Sequence, residues 1–375
     1  MITLFILTPE YIFSIIAGAY FILHLYLLSG LKKSVNANSD NKNNVNSISV
    51  IVAGRNESNN ITDCINSIKQ SHVSDKQVEY IFVNDNSDDN TFELMQKAVD
   101  GVPGFKVINS YPSLSSNLKG KANAIDNAIS VSKGEIIIST DADCIVPHTW
   151  VNNTADHFKN ETGMVCGFTF IDHKNSLFPL MQCIDWFYLL TLASSSCGLN
   201  KIMSCIGNNI SFTKEAYMDV GGYSSIKFSV TEDLALMRKI NASGKFKIIF
   251  PLDKNCLVKT KPCKNLNELF SQKRRWFRGG IGINILGYMT GVCLYSVNIL
   301  LLFGLFFIDL PLYLLLVTVK IFSEILLLRN TFRIFNVRYL YKYYLLFTVY
   351  FAMYGLLLPL TFVFRSRIKW KNRKF

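Results

Sequence analysis

Acidic residues stand where short β-branched runs end, and their spacing sets the chemistry within reach. Glu135 to Thr140 runs straight into Asp141-Ala142-Asp143, so two carboxylates two residues apart on extended backbone point to the same side. The pair suits a hard divalent cation with oxygen ligands, which would bridge a carboxylate to a diphosphate and neutralise charge on a departing nucleotide. On a loop, an Asp-x-Asp is also an ordinary solvated turn or helix cap. In Val83-Asn84-Asp85-Asn86-Ser87-Asp88-Asp89, Asp85 stands where a carboxylate could accept a hydrogen bond from a nucleobase. Asp88 and Asp89 read as an Asx turn leading into a helix near Thr91. Lys121, in Gly120-Lys121-Ala122-Asn123-Ala124, opens a helix, a position that can pair with phosphate oxygens or simply be exposed.

Two further segments complete the set. Thr231-Glu232-Asp233-Leu234 opens a helix, where Thr231 can cap and acids favour the first turn. The functional alternative makes Asp233 a general base that takes a proton from an acceptor hydroxyl. On a helix Gln272, Arg275 and Trp276 share one face, offering a guanidinium to a diphosphate and an indole to a sugar or acceptor. Leu269, Phe270, Lys273, Phe277 and Arg278 also make that helix amphipathic and suited to a headgroup region.

The elements that must position these residues follow from hydrophobic patterning. Ile48 to Ala53, Glu79 to Val83, Phe105 to Ile108 and Glu135 to Thr140 read as strands, with helical patterns at about 60–70, 91–99 and 121–130 between them. That alternation predicts a mostly parallel, doubly wound α/β sheet with ligands at the carboxyl ends of its strands. The stretch from Cys166 to Ile206 holds many aromatic residues and few charges; it reads as core, or as an acceptor site facing a bilayer.

Half of the 375 residues are apolar, and the long uncharged runs lie at the two ends. Tyr11 to Ser29 is nearly long enough to cross a bilayer as a helix, and it is followed by Lys32-Lys33, which marks an uncleaved anchor with its lysines in the cytosol. The segments 281–308, 312–328 and 343–364 read as three C-terminal spans, the second carrying Lys320 and Glu324. Three crossings put the basic tail outside, against the positive-inside rule, so either that count is wrong or one segment is re-entrant or lies flat, the candidate being the last, with Gly355 and Pro359. The net charge of +12 is concentrated in Lys32-Lys33, Arg329 to Lys342 and Arg365 to Lys374, all flanking apolar runs, which excludes nucleic acid as the partner and points to membrane lipids. Nine cysteines without a C-x-x-C pair, and five histidines without ligand spacing to them, argue against structural zinc and for reduced core cysteines.

In order and spacing, Asp85, Asp141-x-Asp143, Thr231-Glu232-Asp233 and Gln272-x-x-Arg275-Trp276 resemble the membrane-bound family 2 glycosyltransferases, which include cellulose, chitin and hyaluronan synthases and ceramide glucosyltransferase. The resemblance implies a GT-A fold, a UDP-sugar donor, Mg2+ or Mn2+ at Asp141 and Asp143, and inversion at the anomeric carbon. By position, Asp85 would hold uracil, Asp141 and Asp143 the metal and diphosphate, Asp233 the acceptor proton, and Arg275 and Trp276 the diphosphate and acceptor. Gly207-Asn208-Asn209 and Gly221-Gly222-Tyr223 are similar to the family's donor-sugar and acceptor segments. The chain departs from the family at Gly54-Arg55-Asn56, where a proline is frequent, and at Asn84, where an aspartate is common.

The expected organisation is an anchor at 1–31, a linker at 32–47, a GT-A catalytic domain at 48–265, an interfacial helix at 266–280, a C-terminal transmembrane region at 281–365 and a basic tail at 366–375. The expected activity is an inverting, metal-dependent hexosyltransferase in a bacterial-type plasma membrane, its catalytic domain cytosolic, moving a sugar from a UDP-sugar to a lipid, lipid-linked or glycan acceptor. A processive polysaccharide synthase and a catalytically dead scaffold are the alternatives.

Overall fold

In the computed structural model, which describes residues 8–36, 45–71, 73, 76–113, 115, 117–159, 161–174, 176–363, 369–370 and 373–374, the β-branched runs become strands. They are β1 (Ser47–Gly54), β2 (Gln77–Asn84), β3 (Phe105–Asn109) and β4 (Ile136–Asp141), and the helices between them are α2 (Ile61–Lys69), α3 (Thr91–Val99) and α4 (Lys121–Ser130). After α5 (Trp150–Asp156) come β5 (Thr162–Cys166), β6 (Thr169–Ile171), α6 (Leu177–Gly198), β7 (Ile210–Thr213), α7 (Lys214–Asp219), α8 (Glu232–Ser243), β8 (Lys247–Ile249) and β9 (Val258–Thr260). The remaining helices are α9 (Leu266–Gly280), α10 (Ile285–Phe303), α11 (Leu310–Ile334) and α12 (Tyr344–Val363), with α1 (Pro9–Asn36) at the start.

The main sheet has the order β3-β2-β1-β4-β7-β5-β8. The first four strands are parallel, and β7 runs antiparallel to both β4 and β5. Alternate residues of β1 enter different cores, Ile51 on one face and Val50 and Val52 on the other, so both faces are covered, as a parallel sheet requires. Gly54 is paired with Asn84, and Ala53 with Asp141. That register brings the carboxyl ends of β2 and β4 to one edge on either side of β1, and the acids with them.

Among the described residues, four helices are long and apolar enough to cross a membrane: α1, α6, α10 and α11. α6 differs from the others because most of it is buried within the protein, as a helix apolar all round demands. It packs on α1, α11 and α12 and also on β6 and β8. A Cβ on Gly30 would run into the Ser195 carbonyl, and one on Gly198 into that of Gly30, while the Ser34 hydroxyl donates to the Ser194 carbonyl at 2.8 Å. Small residues four apart on each helix thus let α1 and α6 cross closely. Deeper in the bundle Glu324 accepts from Lys320 at 2.7 Å, Tyr20 at 2.5 Å and Tyr344 at 3.2 Å. Tyr188 of α6 joins this network at 2.9 Å from Tyr20 and 3.1 Å from His24. The two charges in the second C-terminal span therefore pair inside the bundle, where lipid cannot reach them.

Several expectations change. The first helix runs to Asn36, five residues into the expected linker, because Ser34 is held by α6; residues 37–44 of that linker, most of the basic tail and residues 1–7 lie outside the described residues. Lys273 does not face headgroups: it is buried in an ion pair with Asp185 of α6. α12 is one continuous helix through Pro359, packed on α10, α6 and α9. All nine cysteines are free.

Candidate active site

A cavity of about 570 Å3 opens at the carboxyl ends of β1, β2 and β4. Asp85, Lys121, Asp141, Asp143, Asp233, Gln272, Arg275 and Trp276 all line it, so the structure brings together all eight residues singled out in the sequence. Asp85 is buried after β2, with Ser110 donating to its carboxylate at 3.2 Å and Arg55 to its carbonyl at 2.9 Å. Arg55 also pairs with the exposed Asp88 at 2.8 Å, while Asp89 accepts from the Thr91 amide at 3.1 Å, the Asx turn foreseen for this loop.

Lys121 begins α4 and reaches across the cavity. Its ammonium contacts the Asp141 carboxylate and lies 3.4 Å from Glu232 Oε1, linking the Asp-x-Asp segment to the start of α8. Burial works to discharge it, but Asp141 and Glu232 outweigh burial and hold it above the ordinary lysine range. Burial and then the Glu232 charge push the Asp233 carboxyl up to about 7, against the pull of Lys121 and of the Leu234 amide at 2.8 Å. A carboxylate at that value is suited to take and return a proton near neutral pH. Thr231 sits at the N-cap of α8, yet its side chain makes no capping bond; its hydroxyl lies 3.2 Å from that of Ser229.

Gly207 lines the same wall, and a Cβ there would lie 2.9 Å from Asp233 Oδ2. Asn208 also lines the cavity but spends its side chain on Thr169 at 2.8 Å. Asn209 is structural, bonded to Trp150 at 3.1 Å and to two carbonyls. Gly221 and Gly222 form a positive-φ turn beside buried Tyr223 and stand outside the cavity lining. On α9, Gln272 Oε1 is buried with no hydrogen-bond partner among the described residues. Trp276 packs on Trp186 of α6 with ring centroids 5.3 Å apart, and the Lys273 ammonium lies 4.5 Å from the Trp276 ring.

The sequence reading passed over three contributors. Glu232 was in view beside Asp233, but only folding reveals it as a partner of Lys121. Arg238 donates to the carbonyls of Gly279 at 3.2 Å, Gly280 at 3.4 Å and Ile281 at 3.2 Å, so α8 holds the end of α9; no local pattern signals this. Trp186, which packs on Trp276 in the cavity wall, lies in an aromatic-rich stretch of the sequence where nothing sets it apart from its neighbours. Away from the cavity His157 lies 3.1 Å from Asp253, and Cys256 donates to that same oxygen at 3.6 Å.

The family model described as glycosyl transferase family 2 matches residues 49–232. These residues are a glycosyl transferase family 2 domain. Asp85, Lys121, Asp141 and Asp143 fall within the family 2 domain, and Asp233 follows its last matched residue. The chain is similar to poly-beta-1,6-N-acetyl-D-glucosamine synthases: 28% identical over 273 residues to that of Staphylococcus aureus strain MSSA476, covering 72% of this chain and 62% of the relative, and 26% identical over 240 residues to that of Staphylococcus epidermidis, covering 63% and 55%. It thus spans about three fifths of those relatives' length. Among solved structures, the mannosyltransferase PcManGT from Pyrobaculum calidifontis, in complex with GDP-Man and Mn2+, superposes with a TM-score of 0.58 at 17% identity, covering 92% of this chain and 99% of that one. That likeness is one of fold, and the fold is GT-A.

Proposed function

We propose that the chain is a membrane glycosyltransferase that moves a sugar with inversion from a UDP-sugar to a growing glycan at the cytosolic membrane face. The observation that carries this reading is the convergence of Asp85, Lys121, Asp141, Asp143, Asp233, Gln272, Arg275 and Trp276, from five separate stretches of chain, on one cavity. The polysaccharide synthases among its relatives favour glycan extension over single transfer. An acceptor carried on an apolar tail is the second reading, favoured by the cavity's apolar lobe.

Asp141 and Asp143 offer the hard oxygen ligands that Mg2+ or Mn2+ takes, and both face the cavity wall that Lys121 shares. When bound, the cation would neutralise negative charge on the diphosphate. Asp85 receives the nucleobase edge, Arg275 holds diphosphate oxygens, and Gln272 brings an unsatisfied acceptor to a donor hydroxyl. Asp233 takes the acceptor hydroxyl's proton as that oxygen bonds to the anomeric carbon. The bond from that carbon to the diphosphate breaks, and its electron pair leaves with UDP. The catalytic face is cytosolic because Lys32, Lys33 and the basic residues between Arg329 and Lys342 flank the spans on one side.

The test is UDP release by the reconstituted full chain over a panel of UDP-sugars with Mg2+ or Mn2+. Acceptor-dependent release from one donor is expected, abolished by chelation and restored by either cation. Asp233→Asn should keep UDP binding while losing about 10²–10⁴-fold in kcat. Wild-type turnover in that variant would remove Asp233 from the mechanism, and failure of the wild type to bind UDP would sink the whole reading. Product length that grows with time separates glycan extension from single transfer.

A further inference from the structure

Outside the cavity, three residues with metal-ligand side chains meet from distant parts of the chain. His157 follows the last turn of α5. Asp253 and Cys256 stand at the two ends of a short 3-10 turn ahead of β9, where Asp253 Oδ1 accepts from the Asn255 amide at 2.8 Å. The other carboxylate oxygen, Oδ2, lies 3.1 Å from His157 Nε2 and 3.6 Å from Cys256 Sγ, and the three ligand atoms all lie within 4.8 Å of one another. Spacing in the sequence does not show this cluster, because His157 stands 96 positions before Asp253.

A tetrahedral zinc ion, with bonds of about 2.0 Å to nitrogen and oxygen and about 2.3 Å to sulfur, holds N and O about 3.3 Å apart and O and S about 3.5 Å apart. Both separations around Asp253 match those values to within about 0.2 Å. Hydrogen bonding gives the same separations, with the Cys256 sulfur as a weak donor to Asp253 and a weak acceptor from the Thr154 hydroxyl at 3.6 Å. It does not account for the space beside them. A void of about 10 Å3, lined by His157, Asp253, Cys256, Thr154 and Asn209 among others, has about the room of one water, and a water is what completes a zinc site with three protein ligands. The His157 and Asp253 side chains remain 11% and 15% exposed, which gives an ion a way in, while Cys256 is buried.

We propose that His157, Asp253 and Cys256 bind a zinc ion with a water in its fourth position, at a site separate from the Asp141 and Asp143 carboxylates. Imidazole and thiolate select such an ion over Mg2+, which prefers an all-oxygen shell. As the zinc–sulfur bond forms, the Cys256 thiol proton passes to solvent, and the imidazole coordinates through Nε2 with its proton on Nδ1. The ion ties α5 to the 3-10 turn. That junction backs the cavity wall through Asn209, whose side chain bonds the Cys256 carbonyl at 2.9 Å and Trp150 of α5 at 3.1 Å and which directly follows Gly207 and Asn208 of the lining. Zinc therefore braces that wall from behind. The inference goes beyond the transferase reading and does not depend on it.

The experiment titrates the purified full chain, reduced and freed of metal by a chelator, with Co2+ as a spectroscopic probe in excess Mg2+. Wild type should develop a thiolate-to-cobalt charge-transfer band that saturates at one equivalent and is erased by Zn2+. Cys256→Ser should lose the band, His157→Gln should weaken Co2+ affinity at least about tenfold, and Cys263→Ser, outside the cluster, should change neither. No band in the wild type, or one that persists in Cys256→Ser, overturns the proposal. Should Cys256→Ser not fold, His157→Gln decides, and an unaltered affinity there overturns it equally. UDP binding measured on the same samples tests the transferase reading separately.

Discussion

The Asp233 carboxyl, held at about 7, makes the pH dependence of turnover a direct probe of the site. A base must be ionised, so activity should rise with pH through that value: about one part in eleven is competent at pH 6 and ten parts in eleven at pH 8, a tenfold span. A base at the ordinary aspartate value would give a flat profile over the same range. Glu232→Gln removes the neighbouring negative charge that, after burial, does most to raise Asp233. With that charge gone the ionised form is easier to reach, so the acid limb should move down by about one pH unit, equivalent to about 1.4 kcal/mol. Glu232 also partners Lys121 at 3.4 Å, and a Lys121 released from it would favour ionised Asp233 further, in the same direction. The assay is kcat/KM for the donor between pH 5.5 and 8.5 at saturating Mg2+. A flat wild-type profile, or a limb that moves up in Glu232→Gln, would refute this account of the base.

Gly207→Ala drives a methyl into the Asp233 carboxyl, 2.9 Å from its Oδ2; kcat should fall by at least tenfold while UDP affinity by calorimetry stays within about threefold. Lys273→Met strands Asp185, which is fully buried with Tyr354 as its other partner at 2.6 Å. Thermal unfolding should show a loss of about 3–5 kcal/mol, and adding Asp185→Asn should recover most of it.

Much of the fold is legible in the sequence because β1 to β4 are continuous β-branched runs that end in turn residues, with helical periodicity between them. The second half of the sheet is not. β5, β7 and β8 are three to five residues long, and the antiparallel insertion of β7 depends on pairing with β4 and β5, which no local pattern encodes. α6 escapes because a stretch apolar on all sides has no face to reveal its period; its partners, α1 and α11, lie far away in the chain. At the site, the acids stand out because they interrupt hydrophobic runs at strand ends. Their mutual arrangement is another matter. The bridge from Asp141 through Lys121 to Glu232, and the grip of Arg238 on the end of α9, join residues tens to more than a hundred positions apart. Lys273 is instructive in the opposite sense: its place in an amphipathic pattern suggested solvent, and a buried carboxylate on α6 drew it inward.

α6 belongs at once to the sheet domain and to the helix bundle, lining the candidate-site cavity with one face and gripping α1, α11 and α12 with others. A fragment cut at 48–265 would therefore carry a long greasy rod stripped of its sleeve, and it should aggregate rather than behave as a soluble enzyme. The same sharing means that this sheet domain cannot be exchanged between membrane anchors like a cassette, because cavity and anchor are cut from one piece.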